Sequence, residues 1–123
     1  MSDQPQPTPL QDVITFILNN HGAFAVYGGF LWWDSDGQMH TAVHHANAPY
    51  QHGKFGVPPS LFNIPAGSVL CFRAGIEAGG KEVAKEAFTY NPDADAAPEY
   101  KTTGTTSSSH MKYEGIKAPI PPD

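Results

Sequence analysis

Short apolar runs separated by Gly- and Pro-rich turns dominate the sequence from residue 12 onward. In the first run, 12–18, β-branched and aromatic residues alternate with others so that one face of an extended chain is apolar. The next run, 24–33, also predicts a strand, and its glycine pair Gly28-Gly29 predicts a bulge or a close approach of two backbones. Both runs have the period of two that is typical of strands.

Turns and further strands alternate through the rest of the chain. A turn at 34–37 precedes alternating residues up to 44, which predict a third strand paired with the second in a hairpin. The stretch 46–60 contains three prolines and two glycines and is predicted to be an irregular loop, a common place for function. The remaining expectations are a turn at 64–68, a strand at 69–74, a strand rather than a helix at 81–90, an acidic loop at 91–99, and strand propensity at 101–103 and 109–113.

Length and composition favour one β-rich domain. A chain of 123 residues can bury one core and is too short for two, and 40% hydrophobic residues suffice for that core. With 12 glycines and 12 prolines, the composition favours short strands and many turns. We therefore expect an all-β fold, a single-domain β-sandwich of short antiparallel strands with long Pro/Gly-rich loops. Its expected limits are residues 11–116, between a disordered N-terminal arm at 1–10 and a Pro-rich C-terminal tail at 117–123.

Charge and cysteine usage narrow the classes of partner. Lys and Arg number 7 and Asp and Glu number 12, and the net charge of -5 repels nucleic-acid phosphate and argues against nucleic-acid binding. No apolar run approaches the roughly 20 residues that span a bilayer, and residues 1–9 lack a signal-peptide core. The expected location at synthesis is the cytoplasm, and release from the cell would have to occur without a conventional signal peptide. The single cysteine, Cys71, lies in an apolar stretch that predicts a buried thiol without a chemical role.

Both tryptophans lie next to each other in the strand predicted at 24–33. Because successive side chains of a strand face opposite sides, Trp32 would share one face with Phe30. Trp33 would share the other face with Leu31 and Tyr27, so one face is expected to present rings to something other than this chain's own core. Amphipathic rings of this kind suit a lipid headgroup region, and the proline-containing loop adds two further candidates. The candidate ligand-binding residues are Tyr27, Trp32, Trp33, Tyr50 and His52.

Other chemistry-bearing residues form no complete site. Four histidines, His40, His44, His45 and His52, lie close together, but no Cys pair or His-Glu-x-x-His motif completes a zinc site, so no metal is expected. The segment 34–37 begins like a calcium loop, but it supplies no further oxygen ligands and is expected to be a hairpin turn. The acidic residues at 93, 95 and 99 fit a solvated loop rather than an acid–base pair. We therefore expect neither an enzyme nor a cofactor.

Residues 52–90 carry a recognisable series of motifs. These are His52-Gly53-Lys54-Phe55, Pro58-Pro59, Ile64-Pro65-Ala66-Gly67-Ser68, Phe72-Arg73-Ala74 and Glu86-Ala87-Phe88-Thr89-Tyr90. In these motifs, and in an opening strand that ends in Asn19-Asn20, the chain resembles the aegerolysin-like proteins, a family of small acidic β-sandwiches. The resemblance implies recognition of lipids or membrane surfaces, commonly together with a larger pore-forming partner, and it implies no cofactor.

Three functions of different classes follow from the aromatic strand. The leading hypothesis is a non-enzymatic protein that binds a lipid headgroup at a membrane surface, and the resemblance implies that it is the binding component of a two-component cytolysin. The second is a lectin-like, glycan-binding module, because rings beside Asp and hydroxyl groups also suit a sugar. The third is a homo-oligomeric interaction or assembly protein whose aromatic face forms the contact between copies.

Overall fold

The computed structural model describes residues 10–43 and 53–122. Within these ranges the protein consists of β-strands packed as two sheets, so the predicted all-β sandwich is confirmed. The strands are β1 (Asp12–Val13), β2 (Phe16–Asn20), β3 (Val26–Trp33), β4 (Met39–Val43), β5 (Gly53–Val57), β6 (Val69–Ile76), β7 (Lys81–Val83), β8 (Phe88–Tyr90), β9 (Ala97–Thr105) and β10 (Ser108–Lys117). A 3-10 helix, Pro59–Phe62, links β5 to β6. None of the described residues belongs to a helix long and apolar enough to cross a membrane.

Each sheet joins segments from both halves of the chain. The first sheet has the strand order β1-β8-β6-β3-β4, with β7 also paired to β6, and the second has the order β10-β9-β2-β5. Most neighbouring strands are antiparallel, as predicted, but β1 pairs with β8 and β2 pairs with β9 in parallel. The expectation of antiparallel strands is therefore corrected at these two pairs, where an N-terminal segment lies beside a strand formed much later in the chain.

The apolar run at 12–18 forms two strands, so the prediction of a single strand there was wrong. β1 ends at Val13 and β2 begins at Phe16, and the two strands lie in different sheets. The backbone N–H of Ile14 donates to Ala96 O at 3.1 Å and fixes the crossing between the layers. Val13 and Phe16 are both fully buried, because one apolar run contributes to the core from both sheets.

A cluster of aromatic rings fills the space between the sheets. Phe16 is completely buried, and its ring centroid lies 4.9 Å from that of Phe30 and 5.6 Å from that of Phe72. Phe72 stacks in turn on Tyr100, with centroids 5.1 Å apart and 10° between the ring planes. Offset-stacked and edge-to-face pairs add to the stabilisation that comes from buried area. Because these rings belong to β2, β3, β6 and β9, they fix the position of one sheet on the other.

Two segments that were predicted to be loops contain strands. Gly53–Val57, in the predicted loop 46–60, is β5 and pairs with β2, while residues 97–99 of the predicted loop 91–99 begin β9. In both cases the pairing partner is distant in sequence, and a local pattern of glycines, prolines and acidic residues does not reveal it. The segment 81–90 forms β7 and β8 with irregular residues between them, and contains no helix.

The hairpin of β3 and β4 is confirmed, and so is a close approach at Gly28-Gly29. A Cβ atom at Gly28 would lie 2.7 Å from Val57 Cγ2 of the facing sheet, and one at Gly29 would overlap the backbone of Ala42 in β4. β3 pairs with both neighbours without a register shift. The two glycines therefore serve close packing and not a bulge.

The C-terminal residues pair with the free edge of the second sheet. The backbone N–H of Gly56 donates to Pro121 O at 2.9 Å, and Gly56 forms an isolated parallel bridge with Pro122. Since β10 and β5 are opposite edges of this sheet, residues 118–122 pass from one edge to the other. Backbone that is paired in this way is protected from pairing with another chain. Residues 1–9 of the predicted N-terminal arm lie outside the described residues, as does Asp123.

Candidate functional site

The two faces of β3 have different environments, as the alternation of residues predicted. On the inner face, Phe30 is fully buried, and Trp32 is half-buried and packs against the core cluster. The Trp32 indole also stacks on the ring of His40, with centroids 5.3 Å apart. The contacts of Trp32 are therefore made largely within the protein itself.

Trp33 lies on the outer face of the first sheet, within an apolar patch. Its cross-strand partners are Met39 in β4 and Val69 in β6, and Leu31 shares the same face of β3. Met39 is 58% exposed, whereas Trp33, Val69 and Leu31 are half-buried. The surface formed by Leu31, Trp33, Met39 and Val69 is termed the Trp33 patch below.

The outer face becomes more polar with distance from the Trp33 patch. Arg73 in β6 donates from Nη1 to Thr41 Oγ1 in β4 at 2.8 Å, so its side chain crosses over β3. Tyr27 lies on this face at the other end of β3, where a hydrogen bond with Glu77, and to a smaller extent burial, raises the pKa of the phenol. Beyond its Trp33 end the face is therefore mixed, with Arg73 and Tyr27 beside Val43 and the exposed Val83.

A surface depression of about 390 Å³ adjoins Trp33. One wall is the end of β3 with Asp34 and Ser35, and the other is the turn at 65–68 with Val69. Gly67 in this turn has a φ of 87°, which glycine adopts readily, and its N–H donates to Tyr90 O at 2.8 Å. The turn predicted at 64–68 is thus confirmed and is fixed to β8. The depression brings together an indole, a carboxylate and a hydroxyl, a combination that suits a polar headgroup or a sugar.

Asp34 organises the hairpin turn that follows Trp33. Its Oδ1 accepts from the N–H groups of Asp36 at 2.9 Å and Gln38 at 3.0 Å, and its Oδ2 lies 2.8 Å from His40 Nε2. The hydrogen bond with His40, followed by those with the backbone, lowers the pKa of Asp34 below its ordinary value of 3.8. The predicted hairpin turn is confirmed. The Asp34 carboxylate, which a calcium loop would use as a ligand, instead forms hydrogen bonds within the turn.

We expect the Asp34 carboxyl group to titrate below pH 3.8 in the folded protein. Because its pKa is lower in the folded than in the unfolded state, deprotonated Asp34 stabilises the fold above the unfolded-state pKa. This stabilisation is lost as the pH falls through the folded-state pKa. His40→Ala removes the largest cause and should move the pKa of Asp34 back toward 3.8. An NMR titration of the carboxyl carbon in both proteins measures the shift, and identical curves would contradict the role given to His40.

The described residues include three of the five candidates, and these do not all lie together. Tyr27 and Trp33 share the outer face of β3, while Trp32 belongs to the inner face. Tyr50 and His52 lie outside the described residues, as do the histidines at 44 and 45. No group of three or more His, Cys, Asp or Glu residues that could hold a metal ion occurs within 10–43 and 53–122.

Met39 and Val69 are members of the patch that the candidate set did not contain. Met39 carried a usable signal, because the register of the predicted hairpin places it opposite Trp33. Val69 carried none, because its pairing with Trp33 depends on β6 lying beside β3.

Cys71 also points outward from β6, directly opposite Leu31, yet only 6% of the residue is exposed. Burial, followed by the proximity of Glu86, raises the pKa of the thiol above its usual value. The predicted buried thiol is confirmed.

Comparisons with known proteins find little similarity to this chain. No protein-family model matches the chain, and no curated protein matches it. Among solved structures the chain is similar to pneumolysin, with a TM-score of 0.44 and 12% sequence identity. The aligned region covers 81% of this chain and 23% of the pneumolysin chain, so this chain spans less than a quarter of that protein's length. A likeness at this level carries no argument about function.

Proposed function

We propose that this protein is a non-enzymatic module that binds lipid at a membrane surface through the Trp33 patch. The proposal is carried by the alignment of Trp33 with Met39 and Val69 across three adjacent strands, on a face that points away from the core. Large apolar side chains that are exposed side by side favour contact with another apolar surface. Met39, the most exposed of them, would lose the most contact with water on binding.

The chemistry of the patch suits the interfacial zone of a bilayer. An indole is stable at the level of the headgroups, because its body is apolar and its N–H can bond to polar groups. The hairpin tip beyond Trp33 carries Asp34 and Asp36, whose charges are costly to place in hydrocarbon. The outer face therefore lies along the interface with the tip in water, and the depression beside Trp33 receives a headgroup.

The net charge of -5 selects the kind of lipid surface. An anionic surface repels an acidic protein, so attachment depends on rings and hydrogen bonds to neutral or zwitterionic headgroups. Interactions of this kind are weakly screened by salt, so the proposal predicts that membrane binding changes little with salt concentration.

The resemblance in residues 52–90 supports a finer proposal, that the protein is an aegerolysin-like binding component of a two-component cytolysin. The turn at 65–68, which belongs to that resemblance, forms one wall of the depression beside Trp33. In this arrangement the module recognises the lipid and a larger partner forms the pore. The purified protein alone should then bind vesicles without releasing an encapsulated dye, and dye release by the protein alone would contradict this division of roles.

Vesicle binding tests the primary proposal. We expect the protein to sediment with phosphatidylcholine and sphingomyelin vesicles equally well at about 0.1 M and about 1 M NaCl. Trp33→Ala should weaken this binding by roughly 1–3 kcal/mol, the usual cost of removing an interface aromatic residue. The unfolding midpoint should change little, because Trp33 lies outside the core cluster.

Ile116→Ala provides the matched control for Trp33→Ala. Ile116 is a large apolar residue, 37% exposed, on β10 of the other sheet, and its removal should leave vesicle binding unchanged. Equal losses in the two variants would contradict a site at the Trp33 patch. Failure of the wild-type protein to bind any neutral or zwitterionic vesicle, sphingolipid mixtures included, would contradict the membrane proposal as a whole.

A lectin-like function is the second candidate, and the depression beside Trp33 is the observation that favours it. There the indole adjoins Asp34 and Ser35, so a sugar ring could stack on Trp33 while its hydroxyls bond to the polar wall. Glycan binding that is lost in Trp33→Ala, without vesicle binding, would support this function. A dimer in sedimentation that dissociates in Trp33→Ala would instead assign the patch to homo-oligomeric assembly.

A further inference from the structure

A second concave site lies between the connection from β7 to β8 and the edge strand β10. Its volume of about 490 Å³ falls within the range of roughly 300–1,000 Å³ that is usual for small-molecule pockets. None of the residues that line it belongs to the Trp33 patch or to the depression beside that patch. The cleft is therefore a separate candidate site.

Aromatic and thioether side chains form the inner surface of the cleft. Tyr100 is 1% exposed and is held by its stack on Phe72. Tyr113 lies against it with ring centroids 5.2 Å apart and also contacts the Phe88 ring at 6.1 Å. Met111 completes this surface. Since Tyr100 and Tyr113 are each packed against other rings, the cleft presents a preformed aromatic wall.

Two carboxylates lie beside this wall. Glu86 Oε1 accepts a hydrogen bond from the Tyr100 hydroxyl at 3.2 Å, and Glu82 Oε2 accepts one from Ser109 at 3.1 Å. Both glutamates are half-buried, and neither forms an ion pair with any residue in the described part of the chain. Burial, and after it the charge of Glu86, raises the pKa of Tyr113.

Two exposed lysines, Lys85 and Lys112, also line the cleft. A lysine ammonium is strongly hydrated and tends to remain in water, with its aliphatic stem along the protein surface. The aromatic wall is instead suited to a cation that carries apolar groups and holds its water weakly.

We propose that the cleft binds a compact alkylammonium cation such as choline, with the charge beside Glu86 and the N-methyl groups against Tyr113 and Met111. An ammonium group is attracted to the face of an aromatic ring, and the attraction is stronger where water is partly excluded. The carboxylate of Glu86, oriented by the Tyr100 hydroxyl, supplies the opposite charge at the same place. This proposal does not depend on the function assigned to the Trp33 patch.

Titration with soluble probes tests the proposal on the intact chain. Tetramethylammonium and choline should shift the NMR signals of Tyr113 and Met111 in a saturable manner. Dimethylbutanol has the shape of choline without its charge, and it should bind at least about tenfold more weakly than choline. Equal binding of the neutral probe, or no binding of either cation, would overturn the proposal. Binding of inorganic phosphate in place of the cations would also overturn it, since the lysines would then define the site.

Substitutions separate the charge of the cleft from its aromatic surface. Glu86→Gln keeps an acceptor for the Tyr100 hydroxyl but removes the charge, and it should weaken choline binding about tenfold. Glu114→Gln makes the same change of charge one residue beyond Tyr113, outside the cleft lining, and should have little effect. Tyr113→Phe should retain binding and Tyr113→Leu should lose it, because the ring face is the interacting group. Equal effects of Glu86→Gln and Glu114→Gln would contradict the assignment.

A vesicle experiment identifies the source of the cation. If soluble choline displaces the protein from phosphatidylcholine vesicles, the ammonium group belongs to a lipid headgroup. If choline saturates the cleft without affecting vesicle binding, the ligand is a free small cation. The soluble titration stands by itself if the protein binds no vesicles, so this proposal and the membrane proposal can fail separately.

Discussion

Phe16→Ala should lower the free energy of unfolding by about 3–5 kcal/mol, the usual cost of removing a buried phenylalanine ring. Phe16 is completely buried in β2, and its ring meets those of Phe30, Phe72 and Phe88 at centroid distances of 4.9, 5.6 and 5.7 Å. These neighbours are anchored in the opposing sheet, so they cannot close the cavity without moving one layer. Denaturant unfolding followed by circular dichroism measures the loss.

The total stability of a small domain is only about 5–15 kcal/mol, so Phe16→Ala could leave too little folded protein to measure. Phe16→Leu keeps most of the apolar volume and should cost roughly 1 kcal/mol, which preserves the test. Phe24→Ala is the control, because Phe24 is half-buried at the margin of the core cluster and its loss should cost less than that of Phe16. Equal costs at the two positions would contradict the central role of Phe16.

Asn20→Ala should cost about 2–4 kcal/mol, since it leaves several buried polar groups without a partner. The Asn20 side chain is fully buried at the end of β2. Its Nδ2 donates to Phe24 O at 2.8 Å, and its Oδ1 accepts from Gly22 N at 3.0 Å and from Thr102 Oγ1 at 2.9 Å. One amide thus closes the turn at 21–24 and joins it to β9. The same unfolding experiment measures its contribution.

Asn91 supplies a matched control. Asn91 is half-buried, and its Nδ2 donates to Asp12 Oδ2 at 3.0 Å in an exposed hydrogen bond, so Asn91→Ala should cost less than Asn20→Ala. In a Thr102→Val background, Asn20→Ala should lower the free energy of unfolding by less than it does in the wild type. The Thr102 hydroxyl, which Asn20→Ala would leave without its partner, is already absent in that background. Additive effects of the two substitutions would contradict a direct interaction between these side chains.

The sequence was informative where the deciding pattern is local. Alternation along 24–33 placed Trp32 with Phe30 and Trp33 with Leu31 on opposite faces, and the turn at 34–37 predicted the hairpin. Each of these features depends on neighbouring residues alone. The glycine pair was equally readable, since only close packing or a bulge gives two glycines a purpose inside a strand.

Features that depend on distant segments could not be read in this way. The division of 12–18 between two sheets follows from contacts with residues near 90 and near 100, and the apolar pattern is the same for one strand or two. The cleft lined by Glu86 and Tyr113 arises only when the β7–β8 connection packs against β10. In the sequence, Glu86 lies in the stretch 81–90, where the pattern does not clearly separate strand from helix, and Tyr113 lies in a Ser- and Thr-rich stretch. Neither pattern indicates that the two residues meet.

The position of β2 between β9 and β5 has a consequence for synthesis on the ribosome. The second sheet cannot be completed until residues 97–105 have emerged, although β2 is synthesised well before them. Pairings between such distant segments make folding slow, typically on the order of milliseconds to seconds for β-sandwiches. Until β9 has emerged and paired, the nascent chain therefore leaves the apolar side chains of β2, including Phe16, incompletely buried, which favours aggregation.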